Sequence, residues 1–112
     1  MNIDTVIFYT NDIKAIISFY KNTLAFKYEY GKDRYSSFIF DNNIRLGIKQ
    51  EEVAKEIPGS QTVIIKTKKI EDLYNDFKSK DIQITKHLIK KDWGITFSVL
   101  DLDGNKIEFI EG

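Results

Sequence analysis

Two hydrophobic periods take turns along this chain, and their order occurs twice. Residues 3–10 read as a strand. From Asp12 to Thr23 the spacing becomes helical: Ile13, Ile16, Ile17, Tyr20 and Leu24 recur on one face, with Asn11 or Asp12 as the cap. Phe26, Tyr28 and Tyr30 then alternate in a second strand, and Gly31-Lys32-Asp33 turns the chain. Tyr35 to Phe40 reads as a third strand and Asp41-Asn42-Asn43 as a turn; Ile44, Leu46 and Ile48 form the apolar face of a fourth strand. Residues 51–60 are polar and carry the only proline, in Pro58-Gly59, so they read as a connector. The order then returns. Gln61 to Thr67 is a strand, and Ile70, Leu73, Tyr74 and Phe77 mark one helix face. Ile82 to Ile89, Ile95 to Leu100 and Lys106 to Ile110 are three more strands.

Superposing the two halves sets Val6 on Val63, Thr10 on Thr67, Ile13 on Ile70, Ile16 on Leu73, Tyr20 on Phe77 and Lys21 on Lys78. The identities are sparse, and two amphipathic βα units can match by chance. The shared element order favours a duplication. The expected fold class is therefore α+β: one domain over residues 1–112, built from two βαβββ modules at about 1–50 and 61–112 joined by the linker 51–60.

The last dozen residues carry the most specific pattern. Asp103-Gly104 is a hairpin signal, because glycine supplies a positive φ without steric cost. Beyond it Ile107 and Phe109 share one strand face, and Lys106, Glu108 and Ile110 share the other. A carboxylate among apolar strand residues is either solvent-facing or a ligand to a metal or substrate. Asp101 to Ile110 resembles the Asp-Pro-Asp-Gly-Asn-x-Ile-Glu-Phe signature of the glyoxalase/bleomycin-resistance/extradiol-dioxygenase superfamily, the vicinal oxygen chelate fold. Ile3 to Asp12 is similar to the same family's opening strand, and Ser18-Phe19-Tyr20-Lys21-Asn22-Thr23-Leu24-Ala25-Phe26 is close to its helix-end Phe-Tyr-x-x-x-Leu-Gly-Phe. Leu102 stands where that signature has proline and Ala25 where it has glycine, which relaxes both turns. The resemblance spans essentially the whole chain. It implies two sheets curled into one cup-shaped mixed sheet with helices outside and ligands within, the modules pairing inside one chain or across a dimer.

Composition narrows the function classes. With 112 residues, 42% hydrophobic and 13% aromatic, the chain can bury one core. Seventeen basic and seventeen acidic residues cancel, which argues against phosphate-driven nucleic-acid binding. The basic run Lys86 to Lys91 reads as an exposed strand edge guarded by lysines. Without cysteine there are no disulfides, thiolate metal sites or Cys nucleophiles. No segment has signal-peptide or membrane-span character, so a cytoplasmic protein without membrane contact is expected, and zero net charge suits a homodimer. No serine sits in a nucleophile elbow and no glycine-rich phosphate loop is present; turn formation explains Asp101 and Asp103.

Metalloenzymes of the resembling family hold a divalent metal with His, Gln or Glu from the first and last strand of each module. Carried over, the first ligand position falls on Thr5, and the second on Leu46, or Gly47 after a one-residue slip. The third falls on Thr62, or Gln61 after the same slip, and the fourth on Glu108. Only Glu108 is a good ligand, so no metal or other cofactor is favoured, with a divalent metal as the alternative. His87, the single histidine, reads as a surface residue on the strand face opposite Ile82, Ile84 and Leu88.

Without metal, the resemblance implies a pocket lined by Thr5, Ile7, Tyr9, Leu46, Ile48, Thr62, Ile64, Lys66, Lys106 and Glu108. Trp93, before Gly94, is either near that pocket or a packed cap on its hairpin. Glu108 is the best catalytic candidate. Buried alone it would be a raised-pKa base; paired with Lys66 or Lys106 it would stay ionised and structural. The leading expectation is a metal-free protein similar to the bleomycin-resistance branch that sequesters a small molecule. The alternatives are a lyase- or dioxygenase-type enzyme with a degenerate metal site, and a dimeric interaction module without ligand.

Overall fold

The computed structural model describes all 112 residues and resolves into two compact units, Met1–Gly59 and Ser60–Gly112. In the first, β1 (Thr5–Thr10) leads through α1 (Ile13–Ser18) and a π-helical turn (Phe19–Thr23) to β2 (Tyr28–Lys32), β3 (Tyr35–Ile39) and β4 (Arg45–Gln50). In the second, β5 (Thr62–Lys66) leads through α2 (Ile70–Lys78) to β6 (Ile84–Lys91), β7 (Gly94–Leu100) and β8 (Lys106–Glu111). Each unit is βαβββ with a four-stranded mixed sheet, in the orders β1-β4-β3-β2 and β5-β8-β7-β6. The outer pairs β1·β4 and β5·β8 are parallel, and the remaining pairs are antiparallel. The fold class is α+β.

One face of each sheet is sealed by its helix. In the first unit Phe8, Phe38, Leu46 and Ile48 pack with Ile16, Tyr20 and Leu24, all buried. The Tyr20 ring stands 5.8 Å from Phe38. In the second unit Phe97, Val99, Ile107 and Phe109 meet Ile70, Tyr74 and Phe77, and Phe77 lies edge-on to both Phe97 and Phe109. These apolar faces supply the main stabilisation, since apolar area leaving water contributes about 25 cal/mol per Å².

The helices begin and end for local reasons. The Asp12 carboxylate accepts from the Ala15 amide at 3.2 Å and caps α1. The π-helical turn closes with the Leu24 amide donating to the Phe19 carbonyl. Ala25 follows in the left-handed region at φ 59°, the position where glycine would be unstrained. At α2 the Glu111 carboxylate accepts from the Lys69 and Ile70 amides, a cap delivered from β8 rather than from the preceding loop.

The Asp101–Asn105 turn is a closed network. Asp101 accepts from the amides of Asp103 and Asn105 and from the Asn105 side chain, at 2.8–2.9 Å. Asn105 Oδ1 in turn accepts from the Gln61 amide, which ties the turn to the entry of β5. Gly104 sits at φ 89°, as the hairpin signal requires. The basic run at β6 occupies a sheet edge, as the lysine spacing suggests.

Candidate functional site

Strand pairing decides which residues share the face remote from each helix. In the first unit Thr5, Ile7 and Tyr9 of β1 lie beside Arg45, Gly47 and Lys49 of β4, then Ile39, Ser37 and Tyr35 of β3. In the second unit Thr62, Ile64 and Lys66 of β5 lie beside Lys106, Glu108 and Ile110 of β8, then Leu100, Ser98 and Thr96 of β7. The sequence expectation for Leu46 and Ile48 is corrected here: they pair with Val6 and Phe8 and are buried against the helix side at 2% and 0% exposure. Gly47, the alternative that a one-residue slip offers, is the residue on the remote face there. Thr62, facing Lys106, is the remote-face residue of β5.

The two units correspond position by position on this face. Gly47 is flanked by Ile7 and Ser37, just as Glu108 is flanked by Ile64 and Ser98. Arg45 and Lys106 correspond in the same way. A register shift on the edge strand, at Tyr28–Tyr30 and at Ile84–Lys86, brings an extra residue to each face. That residue is Glu29 in the first unit and Thr85 in the second.

Each face therefore carries a carboxylate paired with positive charge, one cation in the first unit and two in the second, and the two carboxylates stand on different strands. In the first unit Glu29 accepts from Arg45 Nε at 2.7 Å and from the Ser37 hydroxyl at 2.8 Å. The Arg45 guanidinium and Ser37 hold its carboxyl below the usual range. Arg45 also reaches Asp4 at 3.4 Å. The space that a side chain at Gly47 would fill is taken by Tyr35, whose hydroxyl and ring lie directly against it. Burial, with the nearby Tyr30, Glu29 and Asp4, pushes the Tyr35 hydroxyl up.

In the second unit Glu108, with a side chain 12% exposed, accepts from Lys86 Nζ at 3.1 Å and lies 3.3 Å from Lys106 Nζ. Burial pushes its carboxyl up, but the hydrogen bonds and charges of the two lysines outweigh it, and the carboxyl is held below its ordinary value. Of the two expectations for Glu108, the paired and ionised one holds. The partners are Lys106, as expected, and Lys86 rather than Lys66. Beneath the cluster the Thr85 and Ser98 hydroxyls share a 3.0 Å hydrogen bond.

Two further expectations change. His87 does not lie opposite Ile84. The register shift turns it to the helix side, where Nδ1 meets the Tyr74 hydroxyl at 2.7 Å. Trp93 is no packed cap: it is 55% exposed at the β6–β7 turn, with Lys91 Nζ 5.9 Å from its ring. Sequence reading gave no site role to Lys86, Glu29, Arg45, Ser37 or Tyr35. The sequence repeat gave no signal for them, because its offset sets Arg45 on Leu102, whereas strand pairing matches Arg45 with Lys106.

The donor set does not fit a transition metal. The four positions carry Thr5, Gly47, Thr62 and Glu108, and the one carboxylate among them is engaged by two ammonium groups. No group of three or more His, Asp or Glu side chains comes together elsewhere.

A profile of the Glyoxalase/Bleomycin resistance protein/Dioxygenase superfamily matches residues 2–109. No curated protein sequence matches the chain. Among solved structures it is similar to TnmS3, an antibiotic binding protein from Streptomyces sp. CB03234, with a TM-score of 0.84 at 14% identity, over 99% of this chain and 95% of that one. It is also similar to a lactoylglutathione lyase from Agrobacterium tumefaciens, with a TM-score of 0.81 at 17% identity over 99% and 93%. Virulence protein STM3117 from Salmonella typhimurium gives a TM-score of 0.77 at 24% identity over 99% and 96%. At these identities the likeness is one of fold.

Proposed function

The chain belongs to the glyoxalase/bleomycin resistance protein/dioxygenase superfamily, and from that premise we propose that it is a metal-free member that binds a small molecule without transforming it. The observation that carries this reading is the clamp on Glu108. A carboxylate paired through Oε1 with both Lys86 and Lys106 sits between two positive charges and has its basicity lowered. It is a poor metal ligand and a poor general base. A lyase and an antibiotic binding protein share this fold, so the fold itself does not choose between them. The donor set favours binding.

The ligand surface in this reading is the remote face of each sheet: Thr5, Ile7, Tyr9 and Tyr35 in one unit, Thr62, Ile64, Lys66, Lys106 and Glu108 in the other. Ile7 and Ile64 are 41% and 62% exposed there. Apolar surface beside a few fixed polar groups is the usual composition of a small-molecule site. The reading includes a cytoplasmic homodimer, consistent with zero net charge and with no helix long and apolar enough to cross a membrane.

The test is an amide chemical-shift titration of the full chain with a panel of small amphipathic aromatic compounds. Saturable shifts along β1, β4, β5 and β8 are expected from at least one compound. A panel that produces no saturable shift up to millimolar concentration overturns the reading.

A further inference from the structure

Resting on the binding reading above, we propose that the remote face of the second unit selects an amphipathic anion: a small molecule with a carboxylate beside an aromatic or aliphatic body. Two observations support this. The first is a charge imbalance confined to this unit. The face holds Lys66, Lys86 and Lys106 against the single carboxylate of Glu108. On the first unit's face the balance is the reverse. Arg45 is shared by Glu29 and Asp4, Lys49 is shared by Glu52 and Glu56, and Arg34 also pairs with Glu52, so three cations meet four carboxylates.

The second observation is the geometry around Glu108. An ammonium carries three donors; Lys86 directs one to Glu108 Oε1 at 3.1 Å, and Lys106 Nζ lies 3.3 Å from the same oxygen. Their side chains remain 33% and 41% exposed, which leaves both ammonium groups accessible to a second anion. Glu108 thus fixes both lysines in place without neutralising both. Ile64 is paired with Glu108 across the strands and leaves 62% of its surface exposed, which sets apolar area next to the cations. A carboxylate bridging the two ammonium groups would lay its apolar body over Ile64. Charge-assisted bonds of this kind are about twice as strong as neutral ones.

The experiment compares matched acid and amide pairs, beginning with 2-naphthoate and 2-naphthamide, by calorimetry and ligand-observed NMR on the full chain at low salt. The acids are expected to bind about tenfold more tightly, a difference of about 1.4 kcal/mol, and to lose that preference as salt rises. The triple variant Lys86→Met, Glu108→Gln, Lys106→Met removes the cations without stranding the carboxylate, and it should bind acid and amide equally. Lys14→Met, on α1, should leave the preference intact. Equal binding of acids and amides to the unaltered protein sinks the anion inference and leaves the binding reading standing. No binding by either member of any pair sinks both. A triple variant that changes the sedimentation coefficient but not the acid preference assigns this face to a second copy of the chain and overturns the proposal.

Discussion

Removing Lys86 and Lys106 together should cost more than the sum of removing each. The ammonium groups stand 3.1 and 3.3 Å from Glu108 Oε1. At that separation a unit pair is worth about 5 kcal/mol at an effective dielectric of about 20, and about 1.3 kcal/mol in water. Both lysine side chains are a third or more exposed, so the lower figure governs. Lys86→Met or Lys106→Met alone should then cost about 1 kcal/mol or less, because the remaining lysine still serves Glu108. The double variant leaves a carboxylate that is only 12% exposed without a cation, and about 3 kcal/mol is expected. Adding Glu108→Gln should return at least half of that loss. Urea denaturation at pH 7 measures all four variants. The pH profile supplies a second check. In the unaltered protein the Glu108 carboxyl is held below its ordinary value, so its contribution is complete above the usual carboxylate range and fades as pH falls through the lowered value. Without the lysines, burial alone acts and raises the carboxyl, so the double variant should recover relative stability as pH falls toward 5. Single costs that add within about 0.5 kcal/mol, with no recovery in acid, would refute the reasoning.

Three further substitutions probe the frame that holds the site. Ala25→Gly should stabilise by up to about 1 kcal/mol in thermal unfolding, because Ala25 sits at φ 59° after the π-helical turn; a loss of stability would contradict it. Gly47→Ala sets a methyl against the Tyr35 hydroxyl and 2.9 Å from its Cε1, and about 1–3 kcal/mol should be lost as the ring is displaced. The Tyr35 fluorescence or ring NMR signals should move in the same variant. Asp101→Ala deprives the Asp103 and Asn105 amides of their acceptor, so about 2–3 kcal/mol should be lost in chemical denaturation, with faster hydrogen exchange at both amides.

Much of the fold was legible in the periodicities. Ile13, Ile16 and Ile17 mark α1 and Tyr20 the π-helical turn after it, Ile70, Tyr74 and Phe77 mark α2, and alternation finds every strand within a few residues. The faces were harder. Leu46 and Ile48, with Ile44 just before the strand, are the apolar set at β4, and an apolar set belongs on the helix side, so Gly47 had to be the remote-face residue. The family register alone hid that. Strand alternation also fails where a strand slips. The shift at Ile84–Lys86 sends both Thr85 and Lys86 to the remote face and turns His87 toward Tyr74. No local composition marks that shift. The Lys86–Glu108 pair spans twenty-two positions, and the Glu29–Arg45 pair crosses from an edge strand to an inner one. Such partners follow from pairing order, which a single sequence does not display. The Asp101–Asn105 turn was the opposite case, because its chemistry is local and its residues declare it.

The most direct measurement is the metal content of the purified chain after incubation with nickel, zinc, manganese and ferrous iron, with Glu108→Ala alongside. A metal-free site predicts far less than one metal per chain in both proteins. Near-stoichiometric metal in the unaltered chain that disappears in Glu108→Ala would contradict the account, because it would require Glu108 to release Lys86 and Lys106 and serve as a ligand.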